Sequence, residues 1–123
     1  MKSTHTYWNT LASQNSHLWE DIEGTEGNLK QLTIAYDEES GDYTRLTLFK
    51  AGYDTTKFGS KSHDYPEEIF VVSGKLYDKA FDMWLEQGFY ASRPPFEEHG
   101  PFIAQDDVII LEMSYPSQSV KKD

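Results

Sequence analysis

The chain has 123 residues and a formal net charge of −10, and it contains no cysteine. This length predicts a single domain over residues 1–123, with a barrel core at about 28–115 and peripheral segments on either side. The acidic balance argues against nucleic acid and anionic membranes as partners, because no basic stripe is available to displace counterions. The lack of cysteine excludes disulfides and thiolate metal sites, so any metal must be held by histidine and carboxylate ligands.

The N-terminal segment does not resemble a targeting signal. Residues 1–18 lack an apolar core of the signal-peptide type, and no apolar run in the chain approaches the length that spans a bilayer. We therefore expect a cytoplasmic protein.

Short strands are predicted at close intervals along most of the chain. Residues 17–22 predict either an edge strand or one helical turn, and the tail 116–123 is polar. The predicted strands are 29–36, 43–49, 57–63, 67–72, 75–77, 83–85, 89–92 and 108–113. Turns rich in glycine and proline separate them, and no helical period is convincing, so the pattern favours an all-β sandwich or barrel.

Two polar blocks carry the residues best suited to chemistry. In the first, three residues separate a histidine from a glutamate, and six more lead to a glycine; in the second, five residues separate a glycine from a proline, and four more lead to a histidine. In chain order these positions are His63, Glu67, Gly74, Gly88, Pro94 and His99. Two histidines and a carboxylate from separate strands are a typical ligand set for a divalent transition metal such as Fe, Zn, Mn or Ni.

The two blocks resemble the two motifs of the cupin superfamily. The first family motif reads Gly, five residues, His-x-His, three or four residues, Glu, six residues, Gly, and the second reads Gly, five residues, Pro-x-Gly, two residues, His. The run EEIFVVSG at 67–74 and the later His99-Gly100-Pro101 look closest to small single-domain cupins related to the cupin part of some zinc-containing anti-sigma factors. The resemblance covers about 28–115 and implies a double-stranded β-helix, the jelly-roll barrel, with a metal pocket inside.

This sequence departs from the family motifs at three positions. Lys61 stands where the first histidine ligand is expected, and Phe96 stands where the second motif has glycine. Eight residues, rather than five, separate the leading glycine, Gly52, from Lys61. The change at Lys61 bears directly on metal binding, because it removes one imidazole.

The alternation of side chains along strands suggests roles for the residues of the first block. Lys61 and His63 are two apart and face the same way on a strand, whereas only one of Glu67 and Glu68 can point inward. The family spacing to the next glycine selects Glu67. We expect His63, Glu67 and His99 to be metal ligands, and Lys61 to be a catalytic cation or base beside them. In the alternative, the ammonium group of Lys61 pairs with Glu67 and replaces the metal.

Four further residues are candidates for binding a small-molecule substrate. Arg93 alternates with Ala91, so that its guanidinium is placed to bind a carboxylate, although a surface ion pair accounts for it equally well. Tyr36, Phe49 and Tyr90 are candidate aromatic walls, and each of them is also a plausible core residue.

Three functions from different classes are consistent with the sequence. The first is a small metal-dependent enzyme, of oxygenase, lyase or isomerase type, which acts on a small oxygenated or carboxylated molecule. The second is a non-catalytic module that binds or senses a small molecule or a metal. The third is a structural barrel whose pocket is vestigial. A homodimer is expected in each case, since pairing covers the strand edges of a jelly roll.

Overall fold

The structure is a computed structural model that describes residues 1–3 and 5–121. These residues contain nine strands: β1 (Glu20–Asp21), β2 (Leu29–Tyr36), β3 (Tyr43–Phe49), β4 (Glu67–Ser73), β5 (Lys75–Asp78), β6 (Met83–Glu86), β7 (Tyr90–Arg93), β8 (Phe102–Ala104) and β9 (Val108–Ser114). Three short 3₁₀ helices lie at Ser13–Leu18, Thr56–Phe58 and Pro116–Gln118. No helix in the described part of the chain is long and apolar enough to cross a membrane.

The strands form two antiparallel sheets around one core. The larger sheet has the order β1-β2-β3-β9-β4-β7, and the smaller one has the order β6-β5-β8. The buried apolar cluster draws side chains from both sheets: Phe49, Ile69, Val71, Leu76, Leu85, Ala104, Val108 and Ile110. The two sheets therefore pack face to face, and the predicted all-β jelly-roll architecture is confirmed.

Most predicted strands are present with nearly the predicted limits, but one prediction was wrong and one strand was missed. The predicted strand at 57–63 is a 3₁₀ turn followed by irregular chain, in which only Lys61 forms an isolated bridge, to His99. Gly59 has a φ of +68°, which ends extended pairing at that point. Strand β8 was missed because three residues are too few to display alternation.

On β9 and β4, the face that points into the barrel is polar at one end of the strand and apolar at the other. On β9, Val108 and Ile110 are buried at one end, and Glu112 and Ser114 are buried at the other. On β4, Glu67 begins the strand opposite Ser114. Since the strands are antiparallel, their polar ends coincide. One end of the barrel is therefore an apolar core, and the other holds charged side chains.

Candidate functional site

The polar end of the barrel surrounds a cavity of about 360 Å³. One part of its wall is apolar and is formed by Ile22, Leu29, Phe49, Phe58, Phe102 and Ile110. The other part carries the ionisable side chains Arg45, Lys61, His63, Glu67, Arg93, His99 and Glu112. A mostly apolar pocket with a few converging polar groups is the usual form of a small-molecule site, and the volume suits a small ligand.

The start of β4 and the loops before β4 and β8 bring the three candidate ligands to this cavity. Glu67 is the first residue of β4 and is only 2% exposed, whereas Glu68 points to the other face and accepts hydrogen bonds from Tyr90 and Tyr115. Lys61 and His99 exchange two backbone hydrogen bonds, of 2.8 and 2.9 Å. These two hydrogen bonds hold the segment that carries His63 against the segment that carries His99.

The buried carboxylate of Glu67 already has two partners. Arg93 Nη1 donates to Glu67 Oε1 at 2.8 Å, and the Ser114 hydroxyl donates to Glu67 Oε2 at 3.1 Å. Arg93 lies directly opposite Glu67 in the β4–β7 ladder and is also buried. The alternative in which Lys61 pairs with Glu67 is therefore wrong in its choice of cation. The strand register places Arg93 beside the Glu67 carboxylate, whereas Lys61 is exposed.

A second ion pair, which is only partly buried because the Arg45 side chain is 27% exposed, lines the cavity on β3 and β9. Arg45 Nη2 donates to Glu112 Oε2 at 3.0 Å, and these two residues are also opposite each other in their ladder. Thr47 donates a hydrogen bond to the other oxygen of Glu112. Burial alone would lower the pKa of Arg45, but Glu112, together with Tyr43 and Glu67, outweighs it and raises the pKa. Both guanidinium groups of the cavity are thus tied to a glutamate.

His63 lies beside Glu67 and is held from both sides. Its Nε2 is 3.6 Å from Glu67 Oε2, and its ring stacks on Tyr65, with the ring centroids 4.8 Å apart and the planes at 7°. The His63 carbonyl accepts a hydrogen bond from the Phe96 amide at 2.7 Å. These contacts fix the imidazole at the edge of the carboxylate.

His99 is a buried, neutral imidazole. It is 5% exposed, and its Nδ1 has no hydrogen-bond partner among the described residues. Its ring centroid is 5.5 Å from that of His63. Burial lowers the pKa of His99 to about 4, helped by the positive charge of Arg93 and by His63. At neutral pH, His99 therefore carries no charge.

Protein stability is expected to fall between about pH 6.5 and pH 4 because of His99. In this range the unfolded chain protonates His99 while the folded protein keeps it neutral, so that acid favours unfolding. The folded-state pKa of about 4 corresponds to a loss of about 3 kcal/mol across that window. Urea denaturation of chelator-treated protein at several pH values, compared with His99→Gln, isolates this contribution.

The exposed His17 provides the control, since His17→Gln is expected to keep the wild-type pH dependence. Parallel curves for wild type and His99→Gln would show that burial does not perturb this imidazole.

The remaining residues predicted for the site divide between the cavity and the surface. Lys61 and Phe49 line the cavity, together with Phe58 and Phe102. Tyr36 and Tyr90 do not line it; they are 52% and 55% exposed. Tyr90 shares its strand with Arg93 but lies on the opposite face, as an odd separation of three residues requires.

The sequence analysis did not identify Arg45, Thr47 and Glu112, which line the cavity, or Ser114, which donates a hydrogen bond to Glu67. These residues could have been found by looking for a charged or polar residue on the same strand face as buried apolar residues. Glu112, two positions after Ile110, is an example. Parity along a strand places such a charge inside the barrel, where it needs a partner.

The residues present do not fit a resident divalent metal as they are arranged. No three histidine, aspartate or glutamate side chains within 1–3 and 5–121 form a group suited to one ion. The imidazoles of His63 and His99 have suitable chemistry, but Glu67 is bonded to a guanidinium. A divalent ion and a guanidinium about 4 Å apart would repel each other by about 8 kcal/mol at an effective dielectric constant of 20. An ion at Glu67 would therefore require Arg93 to move away.

The two packed sheets and the cavity at the polar end of the barrel define a cupin. The family model described as the ChrR cupin-like domain matches residues 9–117, so the chain belongs to this family. Among curated proteins, no relative matched the sequence.

Several solved structures share the fold. An RmlC-like cupin from Shewanella frigidimarina NCIMB 400 superposes with a TM-score of 0.70 at 19% identity, covering 94% of this chain and 93% of the other. The acetylacetone dioxygenase from Acinetobacter johnsonii gives 0.70 at 14%, covering 94% and 76%. The complex of Rhodobacter sphaeroides SigE with the anti-sigma ChrR gives 0.59 at 19%, covering 78% and 48%. At these identities, the likeness establishes the fold alone.

Proposed function

We propose that this cupin binds a small carboxylated or oxygenated molecule in the cavity, with the acid group toward Arg93 and Lys61. The observation that carries the proposal is the incomplete pairing of Arg93. Within the described residues, its buried side chain donates one hydrogen bond, to Glu67. A guanidinium has five N–H donors in a fixed fork, which leaves capacity for an anionic oxygen in the cavity.

The charge of the cavity supports an anionic ligand. Its wall has three permanent cations against two carboxylates, although the whole chain has a net charge of −10. Because His99 is neutral, it adds no charge to this balance. A concave site with an excess of positive charge attracts anions even on an acidic protein, since low-dielectric walls focus the local field.

The rest of the wall suits an apolar or aromatic body on the ligand. Phe49 and Phe102 make an edge-to-face contact with centroids 5.9 Å apart, and Phe58 completes the aromatic part of the wall. Lys61 is exposed and lines the same cavity, where its ammonium group would stabilise an anionic or enolate oxygen of the ligand. The proposed ligand is therefore a small acid with an apolar group.

A metal-dependent enzyme of oxygenase, lyase or isomerase type is the second candidate. The observation that favours it is the pair of imidazoles, since His99 Nδ1 has no partner in the described residues and His63 Nε2 faces Glu67. A metal held by His63, Glu67 and His99 would supply a Lewis acid for the bound molecule. This candidate requires the pair of Arg93 and Glu67 to open.

Benzoate and phenylpyruvate are expected to stabilise the protein, whereas the neutral isostere benzamide is not. At a ligand concentration of about 100 Kd, binding adds about 2.7 kcal/mol, which raises Tm by about 10 °C for a domain of this size. Thermal shift and titration calorimetry measure the effect. Lys61→Gln should weaken carboxylate binding about 5- to 10-fold, the effect of one exposed charge-assisted contact.

The exposed Lys50, which lies outside the cavity, provides the control: Lys50→Gln should bind like wild type. Equal stabilisation by benzamide and benzoate, or none by either acid, would refute the carboxylate site. Following the concentration of bound acid over time separates the two candidates, because steady consumption identifies an enzyme.

A further inference from the structure

The immediate surroundings of Glu67 contain a cation that belongs to the protein itself. Arg93 is buried, lies opposite Glu67 in the β4–β7 ladder and donates to it at 2.8 Å. Ser114, which lies opposite on the other neighbouring strand, donates to the second carboxylate oxygen. Glu67 is therefore charge-compensated and hydrogen-bonded on both oxygens.

We infer that Arg93 has taken over the role of the metal ion in this cupin, so that the guanidinium is the permanent counter-ion of Glu67 and the site is built without a divalent ion. A buried carboxylate needs a positive partner, and one is sufficient. This inference rests on the pairing of Arg93 and does not depend on which small molecule enters the cavity.

A second feature of the same site points the same way. Lys61 occupies the motif position of the first histidine. Its backbone is hydrogen-bonded to that of His99, and it lines the cavity. A lysine contributes a positive charge there instead of a neutral nitrogen ligand. One difference thus removes a ligand and the other supplies a cation at the carboxylate, and both disfavour a metal at His63 and His99.

The test is titration of the full chain, first treated with chelator, with Co²⁺, followed by calorimetry and by the visible absorption of bound cobalt. Wild type and Lys61→His are both expected to bind weakly and without the intense bands of a four-coordinate site. The double variant Lys61→His/Arg93→Asn restores an imidazole and frees Glu67, and it is expected to bind Co²⁺ at least about 100-fold more tightly. Its Tm should also rise with Co²⁺, because the ion replaces the missing counter-charge.

Two results would overturn the inference. One is stoichiometric, tight Co²⁺ binding by wild type that His99→Ala abolishes, and the other is a folded double variant that gains no affinity. If the double variant does not fold, Lys61→His decides the matter alone: tight binding with Arg93 still present refutes the inference, and weak binding supports it. Failure of benzoate to bind wild type would refute the proposed ligand and leave this titration unaffected.

Discussion

Replacing Arg93 with methionine is expected to lower the free energy of unfolding by about 3–5 kcal/mol, the usual effect of removing one partner from a buried ion pair. The reason is that the carboxyl group of Glu67, 2% exposed, would lose its buried counter-ion, while the Ser114 hydroxyl and the neighbouring His63 imidazole would remain beside it. Urea denaturation followed by tryptophan fluorescence at pH 7 measures the loss.

The double variant Arg93→Met/Glu67→Leu tests the cause of that loss. With both charges replaced by apolar groups, stability should return to within about 1–2 kcal/mol of wild type, because no buried charge is left unpaired. Lys30→Met serves as a comparison, since Lys30 pairs with Asp21 at the surface at the same distance of 2.8 Å. That variant should change stability by less than about 1 kcal/mol. A double variant as unstable as Arg93→Met would contradict the explanation by charge.

Gly74→Ala is expected to prevent folding or to destabilise the protein by more than about 4 kcal/mol. Gly74 joins β4 to β5 with a φ of +85°, and a Cβ at this position would lie 2.4 Å from the carbonyl oxygen of Asp107 and 2.8 Å from the Cα of Val108. Both contacts are with backbone at the start of β9, and side-chain rotation cannot relieve them. The turn would have to move away from the sheet that carries Glu112.

Gly88→Ala separates the clash from the strain of the backbone conformation. Gly88 has a φ of +92°, but no atom lies within 4 Å of its added Cβ. Its substitution should therefore have only the effect of a left-handed conformation, about 1–2 kcal/mol. Thermal unfolding of both variants checks this difference, and similar Tm values for the two would show that the contact with β9 is unimportant.

Local patterns were sufficient for most of the strands. The alternation in 29–36 and 43–49 predicted β2 and β3 with their observed ends, because period-two burial and the flanking turns are both local in the sequence. The predicted strand at 57–63 failed for the converse reason. Gly59 adopts a positive φ and only Lys61 forms a bridge to another strand segment, so no ladder forms there.

The sequence indicated some of the residues that line the cavity but not the pairs that they form. The alternation of side chains along a strand indicated that Arg93 was placed to reach the pocket. The same alternation puts Arg45 on the same face as Thr47 and Phe49. It did not indicate that Arg93 would meet Glu67, or that Arg45 would meet Glu112. In both pairs, the partners are opposite each other in antiparallel ladders. Alternation along a strand determines the face of the sheet on which a side chain lies, whereas only the register between strands determines its neighbour on the next strand.

The sequence by itself determined the jelly-roll class, the cupin resemblance and several of the residues that line the cavity. Strand alternation, glycine turns and motif spacing express local backbone preferences, and these can be read along the chain. Only the tertiary structure decided which cation accompanies Glu67. Arg93 is 26 residues distant and Ser114 is 47 residues distant, yet all three meet at the polar end of the barrel. A buried carboxylate binds the positive group that folding brings to it, and the motif position that suggested Lys61 does not decide which group that is.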